Sequence, residues 1–218
     1  MPLDRTWLDR LAHDLRGPLS PIQTAAWLLR DPAVDAAQRD ELLSVLDRQA
    51  QRLGAMIDEF SDLVHADRGS LVASREVIDI GMLVADAVAR MPARPPRVEF
   101  GPGAQAIEVE GDGRRIAQLF DALLGLQATP GCTSPVEARI ERAGPWLRMA
   151  CTVRCPDASD ALAASLLSSP HPDPPDGALG LGLVVAAATA QAHGGRLQAR
   201  ASGADALEFV LELPALAG

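Results

Sequence analysis

Apolar residues recur at three- and four-residue steps from Trp7 to about Arg30, through Leu11, Leu15, Leu19, Ile22, Ala26 and Leu29, the spacing of one helical face. Asp31-Pro32-Ala33 closes that run. A second stripe follows over residues 35–64, carrying Leu42, Val45, Leu46, Leu53, Met56, Ile57, Phe60 and Val64 between Asp and Arg residues. Two long helices joined by so short a loop lie antiparallel. With one apolar stripe per helix, such a hairpin cannot bury its stripe alone, so the pattern predicts pairing with a second copy into a four-helix bundle, a homodimer. The competing arrangement is a hairpin capped by the chain's own C-terminal half.

Asp67-Arg68-Gly69-Ser70 ends the second helix, and from Leu71 the period changes to short β-like runs and helices separated by Gly and Pro. A boundary there divides the chain into a helical hairpin, residues 1–68, and a second domain, residues 69–218. In that domain the pattern predicts a strand at 72–78, a helix at 80–89, strands at 98–100 and 106–110, and a helix at 114–126. Strands at 136–142 and 146–154, a loop, a helix near 183–192 and strands at 196–201 and 207–213 follow. The fold class is α+β, the second domain being a sandwich with helices on one face of a mixed sheet.

Composition narrows the function classes. A net charge of −9 with no basic run argues against nucleic-acid binding or adhesion to an anionic membrane, and aromatic residues at 3%, with no tyrosine, leave no stacking platforms for single strands. Partners are expected to be proteins. No stretch approaches about 18 consecutive apolar residues and no charged-then-apolar leader opens the sequence, so no membrane span is expected and the implied compartment is the cytoplasm. Cys132, Cys151 and Cys155 lack the paired spacing of a zinc site and read as buried small hydrophobes, and no metal site is expected.

Within the first stripe stands Leu11-Ala12-His13-Asp14-Leu15-Arg16-Gly17-Pro18-Leu19-Ser20-Pro21-Ile22. A neutral imidazole can attack phosphorus through one ring nitrogen when the other is held by a base, and Asp14 is placed to hold His13 in this way. Pro18 removes a backbone donor and crowds the preceding turn, which predicts a bend just past His13. The string resembles the phosphoacceptor box of sensor histidine kinases. The resemblance implies that His13 is phosphorylated, that Asp14 is its supporting base, and that an aspartate on a response-regulator receiver domain exchanges the phosphoryl group with it. Family members that also dephosphorylate their partner carry Thr or Asn four residues past the histidine, where this chain has Gly17. His65 at a helix end, His171 in a proline loop and His193 in a turn are read as structural.

The second domain resembles the ATP-binding fold shared by histidine kinases, gyrase and the Hsp90 chaperone. Gly177-Ala178-Leu179-Gly180-Leu181-Gly182-Leu183, followed by the His193-Gly194-Gly195 turn, is similar to that fold's second glycine box. Gly177, Gly180 and Gly182 would let backbone N–H groups at a helix start approach a phosphate. Gly111-Asp112-Gly113-Arg114-Arg115 resembles the lead-in to the helix whose asparagines hold magnesium. At the two asparagine positions this chain has Ala122 and Leu126, neither of which can ligate the ion. Where the adenine-binding Asp-x-Gly-x-Gly run belongs, the sequence reads Arg154-Cys155-Pro156-Asp157-Ala158-Ser159. The proline-rich residues 168–176 take the place of the nucleotide lid as a stiff loop. Losing both anchors predicts poor ATP binding or none, unless Asp157 or Asp121 substitutes.

The expected function is therefore a two-component phosphotransfer protein of kinase architecture, without a cofactor, its glycine box a vestige. Its donor is another phosphorylated receiver or a partner kinase. Two alternatives stand beside it. One is an autophosphorylating kinase core, which alone would use magnesium-ATP; the other is a non-catalytic scaffold for a kinase or regulator. Receiver choice would rest on surface residues such as Arg16, Gln23 and Arg30, which carry no readable code.

Overall fold

A computed structural model describes residues 5–91, 93–126, 134–171, 174 and 178–217. The first two helices, α1 (Arg5–Leu28) and α2 (Ala36–Asp67), form the antiparallel hairpin. Its loop is shaped by side chains that satisfy backbone donors. Asp31 accepts the N–H of Ala33 at 2.8 Å. Asp35 accepts from Gln38 N–H at 2.8 Å while the Gln38 side chain takes the Asp35 N–H, a reciprocal capping box that starts α2. At the other end Gly69, at φ +66°, lets the Ser70 N–H reach the His65 carbonyl and its own N–H reach that of Ala66, which ends α2.

The first helix runs unbroken through both of its prolines. Pro18 and Pro21 both lie inside α1, which continues seven residues past the second of them to Leu28. Each proline removes one helical hydrogen bond, but packing along α2 carries the helix across the gap.

Beyond the hairpin, β1 (Glu76–Asp79) and β3 (Glu108–Gly111) form a two-stranded antiparallel ladder. A five-stranded sheet takes the order β2 (Arg97–Phe100), β4 (Glu137–Ala143), β5 (Trp146–Arg154), β7 (Ala206–Pro214) and β6 (Arg196–Ala201). Only the β2–β4 pair is parallel, so the sheet is mixed. Its alternating residues Ile140, Leu147, Met149, Cys151, Leu207, Phe209 and Leu211 face helices α3 (Ile80–Ala89), α4 (Gly113–Leu124) and α6 (Gly182–Ala192) in one core. Phe120 and Phe209 are its two fully buried aromatic rings and aliphatic side chains fill most of the rest. Cys151 and Cys155 are buried thiols, and burial pushes the Cys151 thiol well above its usual range. Cys132 lies outside the described residues.

One helix contradicts the expectation of a loop after β5. Ser159 caps α5 (Asp160–Ser168) by accepting the Leu162 N–H, Asp160 complements the first turn, and Ala163 and Leu166 enter the core. Of the proline-rich segment, residues 172–173 and 175–177 lie outside the described residues.

The start of α4 is tied together by Asp112. Its carboxylate accepts the N–H groups of Ala73, Ser74 and Arg115, and its own N–H donates to His193 Nε2 at 3.0 Å. Since Nε2 accepts there and Nδ1 lies 2.8 Å from the Thr189 carbonyl, His193 is a neutral imidazole protonated on Nδ1. Burial opposes the ionisation of Asp112, but these N–H groups and the Arg115 charge outweigh it and hold the carboxyl below its ordinary 3.8. Asp112→Asn should cost about 1–3 kcal/mol at neutral pH by urea denaturation. The wild-type advantage is present above pH 3.8 and shrinks as the pH falls through the lower folded-state value.

Candidate functional site

His13 stands on α1 with its side chain 88% exposed, and its Nδ1 lies 3.2 Å from Asp14 Oδ1. An ionised carboxylate only accepts, so Nδ1 carries the proton in this contact, and the neutral form of the ring has its lone pair on Nε2. Arg10, one turn earlier, lies 3.6 Å from the other Asp14 oxygen. The sequence-predicted pair is thus brought together by a hydrogen bond. At Gly17 the space where a side chain would stand is open.

The start of α6 meets Ala122 and Leu126 at a second place. Gly180 and Gly182 line a cavity of about 190 Å³ together with Ala122, Leu126, Asp121 and Glu59. Gly177 lies outside the described residues. Gly180 has φ +74°, and a Cβ there would meet the His171 backbone at 2.7 Å, so only glycine fits. The side chains of Ala122 and Leu126 bring no oxygen donor to the cavity. Asp121, one candidate substitute, is engaged by Arg90 at 2.7 Å. Asp157, the other, sits in an exposed turn and is not among the lining residues. Among the described residues, no group of three or more His, Cys, Asp or Glu is arranged to hold a metal ion.

The hairpin itself forms one wall of this cavity, which the sequence did not indicate. Leu11, Met56 and Leu63 pack with Leu179, Leu181 and Val185 in a small core separate from that of the sheet. Asp62 pairs with Arg115, their side chains 14% and 11% exposed, and Arg115 also bonds Gln118 and the Leu71 carbonyl. Glu59 accepts the Leu181 N–H at 3.1 Å. Glu59 and Asp62 thus face the second domain, as do Met56 and Leu63 beside them. Only the spatial fold reveals them, because their partners lie far along the chain.

The hairpin is only partly covered. Its end nearest the second domain is capped, but Leu19, Trp27, Leu43 and Ile57 are exposed, Trp27 by 69%. Among the described residues, no helix is long and apolar enough to cross a membrane.

Residues 4–69 match the His Kinase A (phospho-acceptor) domain. The chain is 27% identical over 235 residues to the Sensor protein ChvG of Rhizobium meliloti (strain 1021), covering 94% of this chain and 39% of that protein. It is 24% identical over 212 residues to the Sensor histidine kinase ZraS of Escherichia coli (strain K12), covering 94% and 44%. The chain thus spans about two fifths of the length of these curated relatives. Its fold is similar to that of the Acinetobacter baumannii histidine kinase AdeS, with a TM-score of 0.68, 20% identity, and 93% of this chain and 97% of that one covered. It is also similar to histidine kinase ThkA, solved in complex with response regulator protein TrrA, with a TM-score of 0.67, 17% identity, and 98% and 62% covered.

Burial pushes the Glu59 carboxyl above its ordinary 4.5, the N–H groups of Leu181, Leu179 and Gly180 offset part of that, and the Asp62 charge adds to it. Glu59 therefore holds its proton more tightly in the folded state. Its contribution is fully present below pH 4.5 and lost as the pH rises through the raised value. Wild type should accordingly gain stability relative to Glu59→Gln as the pH is lowered from about 8 toward 4.5, read by urea denaturation of both proteins.

Proposed function

We propose, for a chain that belongs to the sensor histidine kinase family by its phosphoacceptor hairpin and ATPase-like fold, that it is phosphorylated on His13 and exchanges that group with a response-regulator aspartate. The observation that carries this reading is the exposed His13 ring with Nδ1 held by Asp14. Nε2 attacks the phosphorus of an aspartyl phosphate, the N–P bond forms as the P–O bond to the aspartate breaks, and the receiver carboxylate leaves. Asp14 keeps the Nδ1 proton and stabilises the positive charge on the ring. The solved complex of ThkA with a response regulator supports a receiver domain as partner.

The second domain, residues 69–218, serves in this reading as a docking body without efficient ATP binding, and the chain needs no cofactor of its own. Its donor set does not fit magnesium, which wants hard oxygen ligands where Ala122 and Leu126 stand. The cavity, at about 190 Å³, is also smaller than the roughly 300–1,000 Å³ of small-molecule sites. Residues 1–68 form the dimerisation and phosphoacceptor unit, and exposed Leu19, Trp27, Leu43 and Ile57 support a homodimer in the cytoplasm. Autophosphorylation from magnesium-ATP, the second reading, is favoured by Gly180 and Gly182 lining that cavity.

With a phosphorylated receiver domain as donor, acid-labile phosphate should appear on the protein and disappear in His13→Ala. Asp14→Asn should slow the transfer by roughly 10²–10⁴-fold. Phosphate on His13 from magnesium-ATP alone would establish the kinase reading instead. A folded protein that takes phosphate from neither donor would establish a scaffold.

A further inference from the structure

His13 and Asp14 are neighbours on one helix, and successive side chains on a helix point about 100° apart, so they do not face each other. For Asp14 Oδ1 to stand 3.2 Å from His13 Nδ1, the short carboxylate must lean sideways along the helix surface. That is one staggered rotamer among several, and it needs something to hold it. The backbone beneath is already fixed, because Leu11 and Leu15 pack with Met56, Phe60 and Leu63 of α2. What remains to be set is the side chain.

Arg10 stands four residues before Asp14, where helix geometry lays the later side chain back over the earlier one. Its Nε lies 3.6 Å from Asp14 Oδ2, so the two carboxylate oxygens are divided between Arg10 on one side and His13 on the other. Exposure follows the same division. The imidazole is 88% exposed, whereas the carboxylate and the guanidinium are 32% and 46% exposed. We propose that Arg10 is a positioning residue for His13 that acts through Asp14. It holds the carboxylate in the rotamer that meets Nδ1, which keeps the neutral ring in the tautomer with its lone pair on Nε2. The planar guanidinium suits this task, since its donors are fixed relative to one another. The inference rests on His13 being the phosphoryl acceptor.

The ¹⁵N resonances of the neutral His13 ring, recorded on the full chain, read the tautomer directly. Arg10→Gln should lower the share of ring protonated on Nδ1 and raise the share protonated on Nε2. Arg10→Lys, which keeps a cation at this position, should retain most of the wild-type pattern. With a phosphorylated receiver domain at saturating concentration, Arg10→Gln should slow transfer to His13 about two- to fivefold, the range of an exposed ion pair. The half-saturating receiver concentration should not move. In an Asp14→Asn background the same Arg10→Gln change should alter neither rate nor tautomer, because the group it acts through is gone. An unchanged tautomer in Arg10→Gln overturns the proposal. So does a rate loss that persists in the Asp14→Asn background, which would mean that Arg10 acts on the phosphoryl group directly, or a change confined to the half-saturating concentration, which would mean docking. If wild type takes no phosphate from the receiver, the reading of His13 fails, and the tautomer alone decides whether Arg10 positions Asp14.

Discussion

The guanidinium of Arg115 is where the two parts of this molecule are joined. It meets Asp62 on the hairpin, the Leu71 carbonyl on the connecting segment and Gln118 on its own helix, in a place where both members of the ion pair are nearly out of water. Burying such a pair costs desolvation that its Coulomb attraction recovers only with good geometry and satisfied hydrogen bonds. Its value is positional. With α2 fixed on α4, the Glu59 side chain is held against the start of α6, and Leu11 on the phosphoacceptor helix reaches the small core formed with Leu179 and Leu181.

Seen from that joint, the cleft beside α4 and α6 joins the two parts of the chain. Ala122 and Leu126 line it with hydrocarbon, Asp121 on its rim is bonded to Arg90, and Glu59 reaches it from the hairpin. In the proposed reading these features together disfavour a polyanion. His13, by contrast, keeps an exposed ring and a hydrogen-bonded carboxylate.

Much of the fold was legible in the sequence because periodicity reports burial directly. The hairpin stripes, the β5 and β7 alternations and the helix at Ile80–Ala89 follow from which residues need a dry face. The His13–Asp14 pair was legible because both members are adjacent in sequence. Helix α5 was not, since its short run of Ala and Leu lies between a proline turn and a proline-rich loop, and its cap is a single serine. Glu59 and Asp62 could not have been found at all, because an acidic residue beside an apolar stripe looks the same whether it faces water or a distant helix start.

Helix α6 is tied at both ends to groups remote in sequence: Glu59 at its first turn, and at its C-cap the Asp112 N–H that the His193 ring accepts. Eleven helical residues between those grips make a strut roughly 16 Å long. A strut clamped in this way does not bend to absorb a displacement at one end; it slides or tilts as a unit. Any push that a docked partner exerts on the hairpin near Glu59 is thereby delivered to the Asp112 junction, where β3, the connecting segment and α4 meet, as motion of a whole element.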